Sequence, residues 1–414
     1  MLRKLEKGVS RSENRLGLSS QTEPDILGRP LPATVIAIIF LSMTTGVLHA
    51  QSPEFTIEGR PVQIHGFASQ AFAVSDNNNY LTMKTSEGSF AFTDFGVNIS
   101  AQITGKFRVG AQIYDRNIGN LGQWHPELDW AGGDYRFKDW LGLRAGKVKT
   151  VLGLYNDTQD MEFLHTWAIL PQSMYPLDLR SSTIAHVGAD FYGDISLKRL
   201  GSLSYTAYAG FQPTDHYGGW VYGFKEYGIN LTKLNGRLEG GDLRWRTPVP
   251  GLLAGVSYLN QDLHATLTFG PKSYNVSSTH DATSQFYVQY VYNRLKLDGE
   301  YRRNLLSLSQ ILLDSRSFYG AASYRISKRF ELGTYYSRFY LDWQAGASGP
   351  GSHIFEKTAT ARIDLASHWD IKIEGHFMHG YAQSDAFRGF YPRDNPLGLV
   401  PTTNLLVIRT GFQF

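Results

Sequence analysis

Between Asn156 and Ser182 the sequence gathers Asp157, Asp160 and Glu162 within six residues and then Arg180, in a stretch rich in apolar side chains. Five arginines elsewhere, Arg108, Arg116, Arg144, Arg244 and Arg246, sit beside apolar residues in alternating runs. Carboxylates and guanidinium groups that face each other across a narrow gap select solutes by size and orient the polar ones, with no covalent step. Covalent chemistry has less support. The chain has no Cys, which removes thiol nucleophiles and cysteine metal sites. No G-x-S-x-G, H-E-x-x-H or P-loop occurs, and Gly346-Ala347-Ser348-Gly349 lacks the nucleophile-elbow spacing. His376 and His379 are three apart, hence on opposite faces of a strand. His125, Glu127 and Asp129 alternate without a recognised metal-ligand pattern. The expectation is a protein that is not an enzyme and needs no cofactor.

The elements that must hold these charges are strands. Of 414 residues, 14% are aromatic, with 24 Tyr, 24 Phe and 42 Gly, a composition that suits pleated surfaces and disfavours helices. Phe95, Val97, Ile99, Ala101 and Ile103 alternate with Asp94, Gly96, Asn98, Ser100 and Gln102. After Gly105-Lys106 the pattern resumes at Phe107, Val109, Ala111 and Ile113, with Arg108 and Arg116 on the other parity. Similar hairpins turn at Asn293-Arg294, at Ser327-Lys328-Arg329 and at Ser367-His368. Runs of about 9 to 12 residues match the length that crosses a bilayer as a tilted strand. Charges on one parity, apolar residues on the other and aromatics near strand ends argue for a transmembrane barrel rather than a soluble sandwich. Sixteen strands are expected, near 62–74, 89–104, 107–117, 127–137, 141–155, 183–192, 202–211, 236–247, 251–262, 283–292, 295–303, 316–326, 330–340, 356–365, 369–380 and 403–414. Short turns alternate with longer polar connections at 76–88, 263–281, 342–355 and 381–401, and a ring of sixteen strands leaves an aqueous lumen. Inner-parity positions carry eleven basic residues against nine acidic ones, so the expected ion preference is weak and anionic.

Residues 1–50 read as a signal peptide with a long basic leading region, the apolar core Ala33–Leu41 and a small-residue end at Ala50. The core is too short and too interrupted for a helical span. Residues 51–61 are then a short periplasmic N-terminus and 62–414 the barrel. The whole chain carries 40 basic and 37 acidic residues, a net +3, and the leader holds 6 and 4 of these, leaving 34 against 33. A mature charge of +1 argues against a nucleic-acid partner.

The last strand ends Arg409-Thr410-Gly411-Phe412-Gln413-Phe414, and its terminal Phe414 resembles the signal by which Gram-negative outer-membrane proteins engage the barrel-assembly machinery. The segment Leu141-Gly142-Leu143-Arg144-Ala145-Gly146-Lys147-Val148-Lys149-Thr150-Val151-Leu152-Gly153 is similar to the R-x-G-K-x-K-x-P-x-G stretch of 16-stranded porins, above all the phosphate-selective type and its relatives. Val187-Gly188-Ala189-Asp190-Phe191-Tyr192-Gly193 resembles the strand that follows the constriction loop there. Val151 replaces the usual Pro and no dense Arg or Lys ladder appears, so phosphate selectivity does not carry over. The resemblance implies an all-β transmembrane barrel in the outer-membrane lipid, a homotrimer, and a constriction loop folded into the lumen. On it Asp157, Asp160, Glu162 and Arg180 would face Arg108, Arg116, Arg144, Arg244 and Arg246 on the wall. The implied function is passive diffusion of small polar or ionic solutes. The alternative is a barrel closed by its loops, with a structural or adhesive role.

Overall fold

The computed structural model describes residues 54–57, 59–308, 311–382 and 388–414. The leader proposed for residues 1–50 lies outside the described residues. Strand β1 is Glu54–Ile57, β2 Arg60–Ser75, β3 Ser89–Thr104, β4 Phe107–Ile118, β5 Glu127–Lys138 and β6 Leu141–Lys149. They are followed by β7 Ala185–Ser196, β8 Ser202–Gln212, the short helix α1 Gly219–Glu226, β9 Asn230–Arg246, β10 Leu252–Gln261 and β11 His264–Phe269. The rest are β12 Lys272–Tyr292, β13 Leu295–Leu308, β14 Ile311–Arg325, β15 Phe330–Tyr340, β16 His353–Ala366, β17 Trp369–His379 and β18 Thr402–Gln413.

Neighbours in sequence pair antiparallel, and β18 pairs with β2 from Leu405 opposite Ser75 to Gln413 opposite Phe67. This last pairing closes the ring. Both β10 and β11 pair with β9 on one side and β12 on the other, so they are one wall position interrupted at Asp262-Leu263. The four-residue β1 folds back on the start of β2, in line with the end of β18. Counting these as extensions, the barrel has 16 strands.

Alternation sets the two faces. On β3, Val97 and Ile99 are exposed outward while Asp94 and Ser100 are buried inside. On β13, Leu297 faces out and Asp298 and Glu300 face in. An apolar exterior costs nothing against lipid, and closure leaves no unpaired edge in it. Short turns close one end, among them Asn293-Arg294, where Asn293 adopts φ 52°, a left-handed conformation that Asn tolerates. Both ends of the described chain lie on this short-turn side.

Two expectations are corrected. Residues 263–281 are not a polar loop: β11 and the first half of β12 carry the sheet on past the ring as a ribbon, turning at Gly270-Pro271. Its Thr, Asn and Ser content reads as loop, but Thr266 bonds Asn275 across the strands at 3.0 Å, and such pairs hold a sheet without apolar residues. The fifth strand does not reach residue 155 either; β6 ends at Lys149, and Gly153, at φ +69°, has already left the extended region. The buried apolar core sits inside the ring at the long-loop end. There Ala71, Phe92, Leu405 and Val407 of the wall pack on Tyr80, Leu81, Ala168 and Phe390 of the connections.

Candidate functional site

Residues 150–184, between β6 and β7, are irregular, with 3-10 turns at Asn156–Thr158, Glu162–Leu164 and Leu177–Ser182. Irregular backbone away from water must find partners for its N–H and C=O groups. Here inward-facing wall side chains supply them. Both Glu374 oxygens of β17 accept, from the Ala168 and Ile169 amides, at 2.9 Å each. Arg409 of β18 donates to the Ala168 carbonyl at 2.6 Å. Arg362 of β16 donates to the carbonyls of Phe163 and His165 at 2.8 and 2.7 Å. Across the ring, Arg116 of β4 donates to the Leu177 carbonyl at 2.7 Å, and Glu300 of β13 accepts from the Leu154 amide at 3.1 Å. At Gly153 the amide donates to Ser257 of β10, and the carbonyl accepts from Arg244 of β9. Gly153 takes a φ of +69°, and a Cβ there would meet the tips of Gln285 and Glu300, so glycine suits this close approach to the wall.

The charged residues singled out in the sequence divide into three groups. Asp160, Glu162 and Arg180 are buried in ion clusters. Lys149 and Gln112 donate to Asp160 at 2.7 Å each, and Arg180 donates to Asp129 at 2.8 Å with its guanidinium 3.8 Å over the Tyr114 ring. Glu162 is held by Lys372, which also donates to the Glu162 carbonyl at 2.6 Å. Burial pushes both carboxyls up, but Lys149 and Arg180 outweigh it at Asp160, and Lys372 and Arg409 at Glu162, holding each at about 2. Arg116 and Arg244 belong with these anchors, since each donates to a backbone carbonyl of the segment.

Asp157, Arg108 and Arg144 form the second group, because all three line one cavity of about 710 Å³ on the short-turn side. Arg108 donates to Ser100 at 2.6 Å; Arg144 donates to Asp190 at 2.8 Å and stacks on Tyr192. Arg246 stands apart, exposed at the short-turn rim and bonded to Ser204 at 2.9 Å. Lys372, Glu374, Arg362 and Arg409 are among the eleven basic and nine acidic inner-parity residues counted in the sequence, where none of the four has a role. Each reaches at least one backbone group of the segment, and backbone groups leave no trace in residue type.

A second cavity of about 180 Å³ lies toward the long loops, with Asp281, Arg302 and Asn304 on its wall. Thr150 and Leu152 line this one, whereas Lys149 and Val151 line the larger. Consecutive residues of one strap therefore serve the two cavities in turn. Asp178 ties the segment to the connection 380–401, accepting from the Gly389 amide at 2.9 Å and the Tyr391 hydroxyl at 2.8 Å. Burial raises its carboxyl to about 6 against these donors and Arg388. Among the described residues no group of three or more His, Cys, Asp or Glu could hold a metal ion; His125 stacks on Tyr217, and Asp129 is taken by Arg180.

No family model matches this chain, and no curated protein does. Solved structures match over most of its length. An anion-selective porin from Comamonas acidovorans is 11% identical, with 86% of this chain and 100% of that chain covered at a TM-score of 0.55. OmpF of Salmonella typhi, solved in complex with daunomycin, is 11% identical, with 87% and 100% covered at 0.54. The trimer form of in-vitro folded OmpT of Vibrio cholerae is 10% identical, with 86% and 99% covered at 0.52. At these identities the likeness lies in the fold, and the chain is a closed 16-strand antiparallel barrel of the kind seen in outer-membrane porins.

Proposed function

We propose that this barrel is a passive diffusion channel of the outer membrane for small polar or ionic solutes, assembled as a trimer. The observation that carries the reading is the strap at 149–152, one residue layer between two cavities that lie toward opposite mouths of the ring, each with charged side chains in its lining. Segment 150–184 is the constriction; its Asp160, Glu162 and Arg180 hold it in place, and Asp157 alone of the four shares a cavity with wall arginines. Solute meets Arg108, Arg144, Lys147 and Lys149 against Asp134 and Asp157 in the larger cavity. That excess of cations favours anions weakly. The trimer rests on the comparison with OmpT of Vibrio cholerae, and the reading includes no enzymatic step and no cofactor.

Planar-bilayer recording tests it. Purified protein should give discrete steps of conductance, with a reversal potential in a salt gradient on the anion side. Arg108→Glu with Arg144→Glu should move that potential to the cation side by about 10 mV or more, as rings of charge set selectivity. A folded barrel without steps would favour the other reading, a loop-closed barrel with a structural or adhesive role. The apolar packing of Tyr80, Leu81, Ala168 and Phe390 with the wall at the long-loop mouth favours that second reading.

A further inference from the structure

The seven short turns carry Lys106, Lys198, Arg199, Arg294, Lys328 and Arg329 against one carboxylate, Asp139. All six cations are exposed. Among the described residues none of them forms an ion pair. Arg294 donates to the Ile326 carbonyl at 3.0 Å and Lys106 to the Phe137 carbonyl at 3.5 Å, contacts that leave the charge uncompensated. The long connections show the opposite balance, with Asp76, Glu87, Asp215, Asp342 and Asp394 among their acids. Neutrality of the mature chain therefore conceals a charge separation along the barrel axis.

In the same turns Trp140, Leu200, Val249 and Ile326 are exposed, as are Trp245 and Tyr292 at the adjoining strand ends. Trp245 donates its indole N–H to the Leu200 carbonyl at 2.8 Å, and the Lys138 ammonium lies 5.7 Å from the centre of the Trp140 ring. Aromatic side chains at strand ends mark the membrane interface, with cations beyond them at headgroup depth. The turns reach no further out: most are two to five residues long. We propose that the short-turn rim is a docking surface for anionic phospholipid headgroups, with Lys198-Arg199 and Lys328-Arg329 as its two densest sites. A cell-wall polymer, whose carboxylates would also suit the charge, needs a surface that stands clear of the bilayer, and these turns do not. The inference needs only that the barrel sits in a bilayer, so it is independent of conduction.

The test is native mass spectrometry of the purified protein with equal amounts of palmitoyl-oleoyl phosphatidylglycerol and the matched phosphatidylcholine. Wild type should retain the anionic lipid by about fivefold or more, since each cation near an anionic surface adds attraction. Lys198→Gln, Arg199→Gln, Lys328→Gln and Arg329→Gln together should bring the ratio close to one while single-channel conductance stays as in wild type. If that variant does not fold, the wild-type ratio should still fall toward one as salt is raised, because exposed charges are screened. Equal retention of both lipids by wild type overturns the proposal, as does a preference that survives the four substitutions. Charge-dependent pelleting with purified peptidoglycan sacculi, without lipid preference, assigns the rim to the cell wall instead.

Discussion

Lys372→Met is expected to lower the stability of the barrel by roughly 3–5 kcal/mol, the range for breaking a buried pair, and to raise single-channel conductance by about twofold. The ammonium is fully buried, holds both the carboxylate and the carbonyl of Glu162, and lies 3.9 Å from Asp370. Methionine keeps most of the volume but leaves the buried Glu162 carboxylate without its ammonium, and Asp370 with Arg362 as its remaining cation at 3.2 Å. The turn at Glu162–Leu164 then loses the tie that keeps it against β17. Adding Glu162→Leu should recover much of the stability, since removing both partners of a buried pair is often nearly neutral. Heat-modified electrophoretic mobility measures the first effect and planar-bilayer recording the second. Full stability in the single variant would mean that the ion pair does not anchor the segment.

Acid should act on the same tie. A carboxyl held at about 2 when folded, against about 4 when unfolded, stabilises above the unfolded value and loses that contribution as pH falls. Melting temperature should therefore drop between about pH 4 and pH 2, and less steeply in Lys372→Met. Asp178 has the opposite sign. With its carboxyl raised to about 6, its contribution is fully present below the unfolded value and fades as pH rises through 6. Mild acidification thus adds stability here by relieving the buried charge of Asp178, before the deeper anchors loosen.

Gly66→Val is expected to reduce the yield of folded barrel about tenfold, because overpacking here falls on the closing seam. Gly66 exchanges two backbone hydrogen bonds with Phe414, at 3.1 and 2.9 Å, and a Cβ at position 66 would lie 2.4 Å from the Phe414 ring. The ring lies over the glycine, at the junction of the first and last strands. Removing it in Gly66→Val with Phe414→Ala should restore refolding in detergent. Recovery in cells should stay low if the terminal aromatic is what the assembly machinery reads. Equal recovery in both settings would reduce Phe414 to a packing residue.

Much of the wall was legible because lipid outside and water inside impose a period of two that few other environments impose so consistently. The hairpins at Gly105-Lys106 and Asn293-Arg294 could be read from that period and their turn residues alone. The ribbon at 263–281 was not, since above the membrane both faces meet water and the alternation disappears. At the site the divide was similar. Asp160 and Glu162 stand out as charges in an apolar stretch, and their type suggests chemistry at a gap. Whether such a carboxylate meets solvent or a buried ammonium depends on which wall residue comes opposite, and Lys372 is 210 residues away from Glu162. The spacing of charges in sequence says nothing about that.

The ribbon formed by β9, β11 and β12 also sets where the molecule yields first. At 21 residues β12 is about twice the length that a tilted crossing requires, so roughly 30 Å of it stands clear of the bilayer. In the wall every strand has a neighbour on each side, whereas β9 from Asn230 to Asn235 pairs only with β11. Amides on that free edge exchange with solvent through local fraying, without any opening of the ring. Proteolytic nicking concentrates at exposed tips of this kind, so cleavage near Gly270-Pro271 would leave two fragments still held by the wall around the same lumen.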